Sequence, residues 1–203
     1  MSRFTATLPP SYFDDQYAGN PDPWQFTASL YEREKYAATL AALPRPRYAS
    51  ALEVGCSIGV LTEALATRCD ALVGLDLAEL ALIQARERCR DLGHVRFARA
   101  QVPGQWPDGS FDLIVLSEVV YFLDAGDVER LIARVKGSLR TGGDVVLVHW
   151  TGETHYPLSG DEAAERVIAG TRTFLRPIRQ TRTDAYRLDV LAGIGARGTD
   201  GQP

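Results

Sequence analysis

At 203 residues, 45% of them hydrophobic and 24% charged, the chain suits one ordinary domain with a sizeable buried core and excludes a disordered protein. A net charge of -4 with scattered basic residues argues against a nucleic-acid partner. The first residues carry no apolar signal-like region and no stretch approaches a bilayer span. The three cysteines, odd in number and without a C-x-x-C pair, fit a reducing cytoplasm better than disulfides or zinc, and the three histidines lack metal-ligand spacing.

Residues 1–26 read as irregular, broken by Pro9, Pro10, Pro21 and Pro23 and rich in aromatics. Ser29-Leu-Tyr-Glu32 has the spacing of a capping box and opens a helix to about Leu43, where prolines stop it. The period then changes. Ala51–Val54 reads as a buried strand ending at Gly55, and a helix follows from Gly59 to about Arg68. Ala71–Leu75 is a second strand ending at Asp76, before a helix from Ala78 to Leu92. Val95–Ala98 and Phe111–Leu116 read as the third and fourth strands. A helix over Asp127–Leu139 closes at Gly142-Gly143, and Asp144–His149 is a fifth strand. A helix over Asp161–Ala169 with Gly170 as its stop precedes two strands, Phe174–Thr183 and Ala185–Leu191, close enough to require an antiparallel hairpin. Residues 193–203 read as a disordered tail. Strands alternating with helices predict an α/β fold with a mostly parallel sheet.

The chemistry concentrates in Leu52-Glu-Val-Gly-Cys-Ser-Ile-Gly-Val-Leu-Thr62. Gly55 and Gly59 on a strand-to-helix turn permit a tight bend and close approach of a ligand to the backbone. Glu53 precedes the turn, where a carboxylate accepts from a ligand or from backbone N–H groups. Asp76 at the end of the next strand has the place of a residue that accepts both hydroxyls of an adenosine ribose. Asp76-Leu-Ala-Glu79 is also a capping box, and one carboxylate has oxygens for both tasks. Serine at position 57 and the absence of a Walker lysine disfavour a pyrophosphate site and hence a nicotinamide-dependent oxidoreductase. A zwitterionic sulfonium-bearing adenosine fits better.

LEVGCSIG-x-LT, VGLDLA, VRFARAQVPGQWPDGSFDLIVLSEVVYFL and LRTGGDVVLVHW together resemble the ordered motifs of class I S-adenosylmethionine (SAM)-dependent methyltransferases over about two thirds of the chain. PSYFDDQYAGNPDPW and YEREKY resemble, more narrowly, the NodS-type N-methyltransferases, which act on a deacetylated chitooligosaccharide. The resemblance implies a seven-stranded Rossmann-like sheet of order 3-2-1-4-5-7-6 with strand 7 antiparallel. Residues 1–47 would cover the cleft of a core spanning 48–192. SAM would be the cofactor and S-adenosylhomocysteine the product. Glu53, Gly55, Cys56 and Gly59 would shape the methionyl pocket, Asp76 would hold the ribose, and Leu77 would flank the adenine. Gln101 stands where an acidic residue usually meets the adenine amine, with Val102 beside it; Ser117, Tyr12 or Tyr17, and Trp24 complete the pocket. Arg33 would reach the SAM carboxylate, although an exposed helix face explains its charge equally well.

Methyl transfer asks the protein for position, desolvation and a base for the acceptor's proton. Glu118, Tyr121 and His149, at the ends of the fourth and fifth strands, are the candidates. A capping carboxylate, a core tyrosine and a packed histidine are the plain alternatives. His155 and Tyr156 read as a solvated loop. The expected acceptor is a small molecule, an amino sugar or oligosaccharide amine, methylated by a monomer or weak homo-oligomer in the cytoplasm. An O-methyltransferase and a catalytically inactive methyltransferase-like binding subunit are the other readings.

Overall fold

The computed structural model describes residues 3–195. The elements follow in the order α1 (Pro10–Gly19), α2 (Leu30–Ala42), β1 (Ala51–Val54), α3 (Val60–Ala66), β2 (Leu72–Asp76), α4 (Glu79–Arg88), β3 (Val95–Arg99), β4 (Phe111–Ser117), α5 (Ala125–Ser138), β5 (Leu139–Trp150), α6 (Gly160–Thr171), β6 (Leu175–Arg182) and β7 (Tyr186–Gly193). They form one seven-stranded sheet of order β3-β2-β1-β4-β5-β7-β6. β7 runs antiparallel to both of its neighbours and the remaining pairs are parallel. This is the expected doubly wound architecture. The strand order reverses at β1 and β4, so a crevice opens beyond their carboxyl ends.

Both faces of the central strands are covered, which is why they read as unbroken apolar runs. Ile114, Leu116, Val145 and Leu147 pack against Val128, Leu131 and Val135 of α5 and Ala163 and Val167 of α6. Leu113, Val115, Val146 and Val148 point the other way, against Leu61 and Leu65 of α3 and Ala42 of α2. β6 closes one edge. It is mostly exposed and carries Arg176, Pro177, Arg179 and Arg182, a composition that blocks further strand pairing. Among the described residues no helix is long and apolar enough to cross a membrane.

Five expectations are corrected. Residues 10–19 are helical, because a proline at the first helical position gives up an N–H that has no intrahelical partner; Pro10 starts α1 rather than breaking it. Gly142 and Gly143 do not end α5, which stops at Ser138; they lie inside β5. Phe111 pairs with Leu139 but Leu113 with Asp144, so the extra residues bulge, and Gly142 takes the required positive φ of 72°. Gly170 does not stop α6, which continues to Thr171. The cap of α4 is Ala78, not Asp76. Of the tail, Gly193 belongs to β7, and residues 196–203 lie outside the described residues.

Gly59 explains how the first turn meets the sheet's helical layer. Its φ is 80°, and a Cβ there would stand 2.9 Å from Ala85 Cα of α4. Gly59→Ala should therefore cost about 2–4 kcal/mol, a left-handed penalty plus overpacking. Urea denaturation checks this; an unchanged midpoint would show that the α3–α4 contact tolerates a methyl group.

Candidate active site

The turn after β1 is held in left-handed conformations by its own sequence and by Asp76. Gly55, Ser57 and Gly59 have φ values of 82°, 49° and 80°. Asp76 Oδ2 accepts from the Ser57 N–H at 2.9 Å and Oδ1 from the Ala78 N–H at 2.9 Å. The carboxylate thus bridges the ends of β1 and β2, and each oxygen keeps lone pairs for a ligand. Burial pushes its pKa up, opposed by these backbone donors. Tyr17 of α1 reaches the same turn, its hydroxyl 2.5 Å from Ser57 Oγ. A Cβ on Gly55 would stand 3.1 Å from the Ser117 carbonyl oxygen, so glycine keeps a cradle open between β1 and β4.

Glu53 is the anomaly of this turn. It is 1% exposed, and neither carboxylate oxygen has a hydrogen-bond partner among the described residues. Burial pushes its carboxyl up from 4.5 to about 7, although the nearby Thr62 hydroxyl favours the charged form. A buried orphan carboxylate is costly unless a cation completes it. It lines a small cavity with Gly55 and Ser117.

Beside it lies a larger cavity of about 360 Å³ at the carboxyl ends of the strands. Its charged lining is Glu32, Asp76 and Glu118 against Lys35. Lys35, 1% exposed, donates to Glu32 Oε1 at 3.0 Å and Glu118 Oε1 at 2.5 Å. Burial alone would lower its pKa, but the two carboxylates outweigh this and hold it raised. Glu118, at a positive φ of 54°, also accepts from the Tyr121 hydroxyl at 2.7 Å and the Trp150 N–H at 2.9 Å. Aromatic rings form the walls. Tyr156 stacks on Tyr121 with centroids 5.3 Å apart, and Trp24 meets Tyr17 edge to face at 5.6 Å. The N-terminal segment closes one side through Leu8, Phe13, Trp24 and Phe26.

The expected residues divide. Gly55, Asp76, Leu77, Gln101, Val102, Glu118, Tyr121 and Trp24 converge on the large cavity, with Tyr17 rather than Tyr12 supplying the N-terminal tyrosine. Glu53, Cys56 and Ser117 line the small one. Gly59 lines neither cavity; its role is to pack against Ala85. Arg33 is exposed and outside the lining. His149 is fully buried behind Tyr121, ring centroids 5.5 Å apart, with both nitrogens unpartnered among the described residues; burial lowers its pKa to about 4. Tyr156 is a cavity wall rather than a solvated loop residue. Lys35 and Glu32 escaped the sequence reading. The signal was the spacing of Lys35, Thr39 and Ala42, one buried face of α2 that Arg33 does not share.

The sequence profile of Nodulation protein S (NodS) matches residues 15–155. The chain belongs to the NodS family of class I SAM-dependent methyltransferases. It is 32% identical to Nodulation protein S of Sinorhizobium fredii over 171 residues, 82% of this chain and 75% of that protein. The match to the Rhizobium tropici protein of that name is 33% identical, over 62% of this chain and about half (53%) of the relative. Among solved structures, N-methyltransferase NodS from Bradyrhizobium japonicum WM9, in complex with S-adenosylhomocysteine, superposes with a TM-score of 0.77 at 24% identity, covering 91% of this chain and 98% of that one.

Glu53 gives the site a pH signature. Unfolded, it loses its proton near 4.5; folded, it holds it to about 7. The ligand-free protein should therefore lose up to about 3 kcal/mol of stability from this group as pH rises through that window. Glu53→Gln removes the slope, while His149 acts equally in both proteins. Denaturation of both at pH 5 and pH 8 checks this; a difference between them that is the same at both pH values would contradict it.

Proposed function

We propose that the protein N-methylates a small amine, an amino sugar or amino-oligosaccharide, with SAM as donor. The observation that carries the reading is the charge of the cavity: Glu32, Asp76 and Glu118 face one cation, Lys35, with the orphan Glu53 adjoining. Such a lining favours cations, and surrounding aromatic rings add cation–π attraction. SAM fits the residues present. Its ammonium would complete Glu53, its ribose hydroxyls would bond the free lone pairs of Asp76, and its adenine would lie by Leu77, Gln101 and Val102. Lys35 has three N–H donors, two of them used, so one remains for the methionyl carboxylate. The roles expected of Arg33 and Gly59 pass to Lys35 and Gly55.

Bound SAM supplies a methyl group already activated by its sulfonium. The chain's contribution is position and dryness. Residues 1–47 act as a cover, with Phe13, Tyr17, Trp24 and Phe26 excluding water from the cleft. Tyr121 and Tyr156 wall the acceptor side, and Trp150, 38% exposed at the rim, offers a flat surface for a sugar ring. Glu118 is a positioning residue: three donors hold its two oxygens, and it fixes Lys35, Tyr121 and the end of β5.

Calorimetry should show micromolar SAM and S-adenosylhomocysteine binding with none for NADH. Asp76→Ala should weaken SAM binding by about 1–3 kcal/mol, the cost of unpaired ribose hydroxyls; an unchanged dissociation constant would remove Asp76 from the ribose. With methyl-labelled SAM, label should pass to glucosamine or its oligomers and not to the N-acetylated forms. Transfer to the acetylated sugars at equal rate would make the acceptor atom an oxygen.

A further inference from the structure

Resting on the amine reading above, we propose that Trp150, laid face down on Gly152, is an acceptor subsite that selects amines carried on a pyranose ring, with Gly152 as the residue that sets its specificity. Of the large apolar side chains exposed among the described residues, Trp150 alone lines the cavity. It is 38% exposed, so a ligand can reach it. The other aromatic walls pack on one another: Tyr121 stacks on Tyr156, and Trp24 packs against Tyr17 and Phe26.

Gly152 shows how the ring is held. An added Cβ would stand 2.1 Å from Trp150 Cζ2, and 2.5 and 2.6 Å from Cε2 and Cη2, the two atoms bonded to it. Three distances so nearly equal belong to an approach from above the ring; an approach along its edge would leave the flanking atoms much further off. The indole therefore lies with one face on the Gly152 main chain, and its exposure belongs to the other face and the rim. The backbone does not ask for glycine here, because residue 152 has no positive φ. The ring does. The main chain of Trp150 is fixed on both sides. Its N–H donates to Glu118 Oε2 at 2.9 Å, and its carbonyl oxygen would stand 2.1 Å from a Cβ on Gly160, the first residue of α6. Pairing with Tyr186 of β7 holds the same residue from the sheet.

A pyranose has two apolar faces of axial C–H bonds and a polar rim of hydroxyls. An indole face matches the first, with the polarised C–H bonds directed at its electron-rich π system. The amine of glucosamine is equatorial and so lies on the rim. Stacking the sugar leaves that nitrogen free to face the carboxylates of the cavity, of which Glu118 is bonded to Trp150 itself. A platform fixed through its main chain and its ring orients the acceptor before reaction, which is where position contributes to rate. An acyclic amine has no such face to offer.

The test is steady-state kinetics of the full-length protein with a glucosamine tetramer at saturating SAM. Trp150→Ala should raise KM for the tetramer about 10- to 100-fold, the range in which one stacked aromatic ring counts. SAM affinity by calorimetry should stay within about threefold. Trp150→Phe should recover most of the loss and Trp150→Leu should not, because leucine is apolar without a flat face. Gly152→Ala keeps the indole but displaces it, so it should raise KM to a similar extent, and combining it with Trp150→Ala should raise KM no further. Thermal denaturation checks folding, and Gly152→Ala with Trp150→Phe carries the test if Trp150→Ala does not fold. A KM within about twofold of wild type in Trp150→Ala or Gly152→Ala would overturn the proposal. So would effects that multiply in the double variant, or a loss of SAM affinity equal to the rise in KM. Wild-type protein that methylates neither glucosamine nor its oligomers would instead overturn the amine reading on which the proposal rests.

Discussion

The site depends on the contact between Asp76 and the turn after β1. Three residues of this turn have left-handed conformations, and only Ser57, which is not glycine, carries a steric cost for it. A carboxylate at the end of β2, accepting the Ser57 N–H, fixes that turn against the neighbouring strand. The fixed turn leaves Gly55 open toward β4, which makes the cradle, and brings Gly59 against Ala85, which seats the helices over the sheet. Tyr17 ties the N-terminal helix to the same serine, so the cover and the floor of the cavity share one anchor.

Charge is the second constraint. The fold buries Lys35 and gives it two carboxylates, one from its own helix and one from beyond β4. That cluster already carries an excess of negative charge, and Glu53 adds a carboxylate with no partner among the described residues. Buried charges of this kind weaken a fold unless a ligand completes them. The arrangement makes sense as stability given up locally for a site matched to cations, a sulfonium and an ammonium together.

The antiparallel last pair of strands and the places of Gly55 and Asp76 were legible from local spacing, glycines at a turn and an acid at a strand end, whereas the sheet order and the places of Leu77 and Gln101 came from the resemblance to class I methyltransferases. What was not legible depended on which face a residue shows to the rest of the chain. Arg33 and Lys35 are two residues apart on one helix, and only the packing of α2 against α3 sends one to solvent and the other into the core. His149 at a strand end looked available for chemistry, but Tyr121 covers it. Pro10 read as a breaker because a proline starting a helix and one ending a helix look alike without the flanking contacts. That both Glu53 oxygens are buried without a hydrogen-bond partner among the described residues is a property of three dimensions alone.

The measurement that tests the account most directly is the proton count on SAM binding, obtained by calorimetry near pH 7 in two buffers of different ionisation enthalpy. With the Glu53 carboxyl pushed up to about 7 in the free protein, about half of the molecules hold its proton there, and pairing with the SAM ammonium should expel it. The account predicts release of about half a proton in the wild type and a lost release in Glu53→Gln. Equal proton counts in the two proteins would contradict it, and would separate the buried carboxylate from the cofactor.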